Sequence, residues 1–167
     1  MAVGDEGEIL RYAKGSWARF EWAGGEFEDS ALFALWVKAD GSEGWAVGRY
    51  GEIVRYGNGS WSRFEADRGG WTEDTLYSLS MSSDGSEGWA AGFGGEILRY
   101  TNGSWTRFEE ASGVTSSSLR ALAMSADGTE GFAAGSGGEF LRYADGLHPH
   151  LPQLRKGWKN WAEKANS

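Results

Sequence analysis

Gly48-Arg-Tyr-Gly51-Glu-Ile-Val-Arg-Tyr56 recurs as Gly92-Phe-Gly-Gly95-Glu-Ile-Leu-Arg-Tyr100. Two further copies flank these, Gly4-Asp-Glu-Gly7-Glu-Ile-Leu-Arg-Tyr12 and Gly135-Ser-Gly-Gly138-Glu-Phe-Leu-Arg-Tyr143. Gly7, Gly51, Gly95 and Gly138 stand 44, 44 and 43 residues apart. A fixed period of this length marks a repeat architecture. Each unit holds four short strand candidates, a to d. Strand a is Leu76–Met81, matched by Leu32–Val37 and Leu119–Met124; strand b is Gly88–Gly92, matched by Gly44–Gly48, Gly131–Gly135 and Met1–Gly4. Strand c is Glu96–Tyr100 and its equivalents, and strand d is Trp105–Glu109, matched by Trp17–Glu21 and Trp61–Glu65. Asp84-Gly85 separates a from b, and Asn102-Gly103 separates c from d. Such tight turns force antiparallel neighbours, because a parallel crossover needs a dozen residues or more. Four antiparallel strands per unit predict an all-β fold of β-propeller blades. Parallel solenoids use shorter repeats and parallel stacking, which the hairpin turns contradict.

Composition agrees. The 167 residues include 27 glycines, 10 tryptophans and only 2 prolines. So aromatic a chain buries enough apolar surface to order itself. The absence of cysteine excludes disulfides, thiolate metal sites and cysteine nucleophiles. No stretch reaches membrane-spanning length, so no membrane partner is expected. The net charge of −8 argues against nucleic acid, whose phosphates need clustered Lys and Arg. Charge is also uneven: residues 147–167 set Arg155, Lys156, Lys159 and Lys164 against Glu163 alone, leaving −11 on the other 146 residues. The expected organisation is therefore a blade region, 1–146, and a basic tail, 147–167.

The run Leu79–Trp105, with its Gly-Trp-Ala-Ala-Gly, Gly-Glu-Ile-Leu-Arg-Tyr and Asn-Gly-Ser-Trp segments, resembles blades of the photosystem II stability and assembly factor-like group. It is also similar to sialidase-type (Asp-box) repeat proteins. The resemblance covers residues 1 to about 146 and implies a propeller fold. Ser82-Ser-Asp84-Gly-Ser-Glu-Gly-Trp89 keeps the Ser, Asp and Trp of the Asp-box but moves its glycines.

Residues repeated in every unit read as scaffold. Leu35, Leu79 and Leu122, with Val37, Met81 and Met124, are expected to face the next blade. Trp17, Trp61 and Trp105 should lie opposite Tyr12, Tyr56 and Tyr100. The same register sets Glu8, Glu52 and Glu96 opposite Glu21, Glu65 and Glu109, with Arg19, Arg63 and Arg107 diagonal to them as neutralising partners. The pairs therefore read as blade-locking ion networks rather than acid–base catalysts. Asn58-Gly-Ser60 and Asn102-Gly-Ser104 match glycosylation sequons, yet Asn-Gly is also the preferred two-residue hairpin turn. His148-Pro-His150 could offer two nitrogens to a metal, but no acidic or His cluster accompanies it in sequence, so no metal or cofactor is expected.

Positions that differ between otherwise equal units point to function. The b–c turn reads Gly-x-x-Gly throughout, with Asp5-Glu6, Arg49-Tyr50, Phe93-Gly94 and Ser136-Gly137 at its centre. The d–a loops 22–31, 66–75 and 110–118 vary as well. In an antiparallel blade these connections emerge on one face, where Arg49, Tyr50, Phe93, Trp22, Arg68 and Trp71 become candidate contact residues. The expected function is a non-enzymatic binding or assembly module for a protein partner. The alternative is a lectin whose loop tryptophans stack on a glycan, and an Asp-box glycosidase ranks last.

In the tail, Leu151, Leu154, Trp158, Trp161 and Ala165 follow helical spacing, and Pro152 suits a first turn. A short amphipathic helix is expected in place of the missing fourth strand d. Strand counting then gives b-c-d, a-b-c-d twice, and a-b-c. Both terminal blades are incomplete, which predicts self-association as a homodimer completing a ring, the rival reading being a fragment or half of a longer propeller.

Overall fold

The computed structural model describes residues 1–20, 31–64, 72–108 and 113–144, together with the backbone of 157–160. Its strands form four antiparallel sheets. The first contains β1 (Ala2–Val3), β2 (Ile9–Ala13) and β3 (Ser16–Arg19), paired in that order. The second contains β4 (Leu32–Val37), β5 (Gly44–Gly48), β6 (Ile53–Gly57) and β7 (Ser60–Arg63). The third contains β8 (Leu76–Met81), β9 (Gly88–Gly92), β10 (Ile97–Thr101) and β11 (Ser104–Arg107). The fourth contains β12 (Leu119–Met124), β13 (Glu130–Gly135), β14 (Phe140–Ala144) and β15 (Gly157–Asn160). Each sheet is one blade; the strands of the second, third and fourth fill positions a to d in chain order, and those of the first fill b to d.

Turn chemistry sets these registers. Lys14-Gly15, Asn58-Gly59 and Asn102-Gly103 all take positive φ at both residues, the requirement of a type I′ hairpin. Tyr12, Tyr56 and Tyr100 consequently face Trp17, Trp61 and Trp105, as expected from sequence. Between strands a and b, the Asp84 carboxylate accepts hydrogen bonds from the Ser82 hydroxyl and from the Ser86 backbone N–H and hydroxyl. Asp127 does the same with Ser125 and Thr129.

Each blade has two unlike faces. In the second and third blades the leading face carries the strand-c Tyr (Tyr56, Tyr100) and strand-d Trp (Trp61, Trp105), and the trailing face carries the strand-b Trp (Trp45, Trp89) and a strand-c Ile (Ile53, Ile97). Leading faces pack on the preceding blade's trailing face. At the second junction, Trp45 meets Tyr100 at 4.8 Å and Trp105 at 5.8 Å between ring centroids. At the third, Trp89 meets Tyr143 at 4.8 Å. At the first, Phe20 stands edge-on to Tyr56 at 5.6 Å, beside Ile9, Val54 and Trp61. Leu35, Leu79, Met81 and Met124 border these clusters, as expected of inter-blade residues. The inner strands add hydrogen bonds one repeat apart: the Leu122 and Met124 N–H groups donate to the hydroxyls of Ser78 and Ser80.

The tail departs from expectation. Gly157–Asn160 is a strand, not part of a helix, and it pairs with β14 so that Trp158 faces Tyr143. That is the register of Trp105 with Tyr100. The free edge of β14 offers a row of backbone groups that a helix cannot satisfy, and a fourth strand does. The blade repeat therefore runs to residue 160, and the fourth blade has its strand d. Among the described residues, the first sheet alone has three strands. Leu151, Pro152, Leu154, Trp161 and Ala165 lie outside the described residues.

Candidate functional site

The b–c turns and the d–a loops share one end of the blades, because the chain ties them together there. The Arg49 N–H donates to the Ala31 carbonyl, Phe93 to Thr75 and Ser136 to Ser118, at 2.8–2.9 Å. Gly48 permits this approach, since a Cβ on it would collide with the Ala31 carbonyl oxygen. Each b–c connection is a single 3-10 turn: Asp5–Gly7, Arg49–Gly51, Phe93–Gly95 and Ser136–Gly138.

The middle residue of that turn is left-handed in every blade. Gly94 and Gly137 adopt φ of 64° and 73° without penalty, whereas Glu6 and Tyr50 do so at 55° and 58° with a side chain. A bulky residue held there costs about 1–3 kcal/mol, and such strain concentrates at functional positions. The Tyr50 ring stands in solvent, and the Arg49 guanidinium lies 6.0 Å from its centroid. Phe93 is likewise exposed. The structure thus places Arg49, Tyr50 and Phe93 on one face; Trp22, Arg68 and Trp71 lie outside the described residues.

A second row on this side escaped the sequence reading. The a–b pairing slips between Leu32 and Ala34, between Leu76 and Ser78, and between Leu119 and Ala121. The residue skipped at each slip is Phe33, Tyr77 or Arg120. These three form a ladder across consecutive blades, with Phe33 and Tyr77 centroids 5.7 Å apart and the Arg120 guanidinium 4.7 Å from the Tyr77 centroid. Their sequence signal is variation at one position between invariant leucines. It was hidden because strict alternation assigns strand a to scaffold, whereas a bulge re-aims one side chain.

Below this row, Arg63 and Arg107 bond Glu52 and Glu96 at 2.8 Å, and Arg19 lies 3.8 Å from Glu8. The diagonal neutralisation expected from sequence is present; Glu21, Glu65 and Glu109 lie outside the described residues. The opposite end is uniform. Glu43–Arg55, Glu87–Arg99 and Glu130–Arg142 repeat there, beside the Asp-centred a–b turns. Hydrogen bonds from the Ser82 hydroxyl and then Ser86 hold the Asp84 carboxyl down at about 2. Ser125 and Thr129 hold Asp127 at about 2 in the same way. These carboxylates are occupied with holding hairpins.

No protein-family model and no curated protein matches the chain. Among solved structures it is similar to YCF48 bound to D1 peptide, with a TM-score of 0.57 and 18% identity, covering 78% of this chain and 40% of that one. The chain thus spans about two fifths of the length of that structure's chain. At this identity the likeness shows the fold, a β-propeller.

Proposed function

We propose that the chain is a non-enzymatic binding module that engages a protein partner through the face carrying its b–c turns and d–a loops. The observation that carries this reading is the pair of rows on that side: Tyr50 and Phe93 in solvent, and the Phe33–Tyr77–Arg120 ladder. Fold stability does not require these aromatics, since the equivalent positions hold glycine, serine or arginine in other blades. Rigid aromatic surface beside Arg is the composition of protein-binding hot spots. A cation over an aromatic ring adds about 0.5–1 kcal/mol when exposed, which holds Arg120 and Arg49 ready for a partner's carboxylate. The partner of best fit is an extended peptide segment with apolar side chains and an acidic group. The D1 peptide bound to YCF48 in the solved structure supports a peptide as the occupant.

Selection from a random peptide display library on the immobilised chain tests this reading. Recovered peptides should be enriched in apolar and acidic residues. Tyr50→Ala, Tyr77→Ala and Arg120→Glu should each weaken them about tenfold or more, the factor equivalent to 1.4 kcal/mol. Ser62→Ala, at the other end of the blades, should leave binding unchanged. Peptides indifferent to all three substitutions would remove the reading. Glycan-array binding that is lost in Trp71→Ala would replace it with the lectin alternative.

A further inference from the structure

Strand a of the second, third and fourth blades skips one residue in its pairing with strand b, at Phe33, Tyr77 and Arg120. The frame around each skip is constant. Leu32, Leu76 and Leu119 precede it and are at most 2% exposed, while Leu35, Leu79 and Leu122 follow it in the inter-blade clusters. A bulge leaves its extra residue out of the hydrogen-bonded ladder and re-aims the side chain. The position accepts a phenyl ring, a phenol or a guanidinium, so the fold sets where this side chain stands and leaves its chemistry open. Spacing between the three is held by the blades. The Leu122 and Met124 N–H groups bond the Ser78 and Ser80 hydroxyls at 2.9 and 3.2 Å, locking the inner strands of the third and fourth blades in register. Trp36 of the second blade lies against Gly85 of the third. One member per blade results, at steps of 5.7 Å from the Phe33 to the Tyr77 ring and 4.7 Å from that ring to the Arg120 guanidinium. Tyr77 stays partly exposed although a blade flanks it on either side.

We propose that this row is a modular read-out: each blade selects one side chain of an extended peptide, successive blades taking alternate residues. The proposal rests on the binding role assigned above to this face. Alternate side chains of an extended chain point the same way and repeat every 6.6–6.8 Å or about that, within about 1–2 Å of the steps of the row. The b–c turns wall the row on one side. Their Arg49, Phe93 and Ser136 N–H groups are bonded to Ala31, Thr75 and Ser118, two residues before each member. That suits a single extended strand more than a helix about 10–12 Å across. Arg120 stacks on the Tyr77 ring and, among the described residues, pairs with no carboxylate, so its planar fork is left to take one bidentately. Glu73, exposed at the entry to the third blade, repels a ligand carboxylate from Tyr77 and so favours its seat on Arg120. The order read is apolar on Phe33, apolar or aromatic on Tyr77 and acidic on Arg120, with one unread residue between each. Arg49 stands at a turn tip, outside this row.

Display of a random dodecapeptide library against the whole chain, with sequencing of the selected pools, tests the proposal. The parent pool should prefer an acidic residue two positions from one apolar residue and four from a second. In Arg120→Phe the acidic preference should give way to an apolar one at that position alone. In Phe33→Arg a second acidic preference should appear four positions from the first. A peptide from the parent pool, synthesised with its acidic residue replaced by Phe, should bind the parent about tenfold or more weakly and bind Arg120→Phe at least as well as its original. Each substitution installs a side chain that another blade already carries at this position, so circular dichroism should remain that of the parent. An acidic preference that persists in Arg120→Phe, or preferences spaced by three or four positions as on a helix, would overturn the read-out. The binding role of the face would still stand if Tyr50→Ala weakened those peptides. A parent pool with no enrichment over the blank support would remove both.

Discussion

Trp17 and Trp105 occupy the same place in the repeat, yet the structure assigns them very different energies. Trp105 is 1% exposed, packed on Tyr100 and on Trp45 of the preceding blade. Burying about 200 Å² of indole at ~25 cal/mol per Å² stabilises by roughly 5 kcal/mol, an upper figure. Its Nε1 finds no acceptor among the described residues, which offsets about 1–2 kcal/mol. Trp105→Ala should therefore cost about 3–4 kcal/mol, in line with the ~3–5 of large aromatic truncations. Trp17 keeps mainly its cross-strand contact with Tyr12, worth about 0.2–1 kcal/mol. Thermal unfolding followed by tryptophan fluorescence compares the two substitutions. For a chain of this size each kcal/mol moves the thermal midpoint by roughly 2–4 °C, so Trp105→Ala should lower it by about 6–16 °C and Trp17→Ala by a few degrees. Equal losses would refute the assignment of leading-face aromatics to the inter-blade seam.

Gly48→Ala drives a methyl group into the Ala31 carbonyl and should cost at least about 3 kcal/mol, whereas Gly57→Ala points into open space and should stay within about 0.5 kcal/mol; chemical denaturation of the pair measures both. Tyr50→Gly relieves a left-handed side chain and should raise the thermal midpoint by roughly 2–4 °C, for about 1 kcal/mol of strain, while weakening partner binding about tenfold or more. Asp84 and Asp127 sit at about 2 instead of 3.8, so their contribution is complete above pH 3.8 and disappears as pH falls through about 2. A thermal-midpoint titration from pH 5 to 2 should fall less steeply for the Asp84→Ala, Asp127→Ala double variant than for the parent, and parallel curves would contradict the hydrogen-bond origin of the shifts.

Most of the scaffold was legible because its turns demand particular residues. Asn58-Gly59 and Asn102-Gly103 can supply two consecutive left-handed residues, and that alone fixes Tyr opposite Trp in strands c and d. Strands a and b were bounded by the Asp-Gly turns to within a residue. The strand Gly157–Asn160 was not, because twelve residues separate it from β14 where the other blades use two. With the hairpin signal stretched away, the chance helical spacing of Leu151, Leu154, Trp158 and Trp161 dominated the reading. Yet Gly157-Trp158 stands where Ser104-Trp105 stands in the third blade. On the candidate face, Arg49, Tyr50 and Phe93 were visible as variation inside a fixed Gly-x-x-Gly frame. Phe33, Tyr77 and Arg120 were not: they vary between fixed leucines, but the bulge that re-aims them is a property of pairing between two strands, which neither strand shows alone.

Because the principal contacts among the described residues link successive sheets, the chain on its own behaves as a short one-dimensional array whose end members are held from one side and whose middle members are clamped from both. Opening begins at the ends of such an array, and amide exchange should be slowest in the second and third sheets. Tyr50 and Phe93 are mounted on those two sheets, as are Phe33 and Tyr77. A ligand arriving there meets a surface already immobile, and little ordering entropy opposes its capture. Affinity can thus be tuned by exchanging single residues at the turn tips, while the blades that carry them stay as they are.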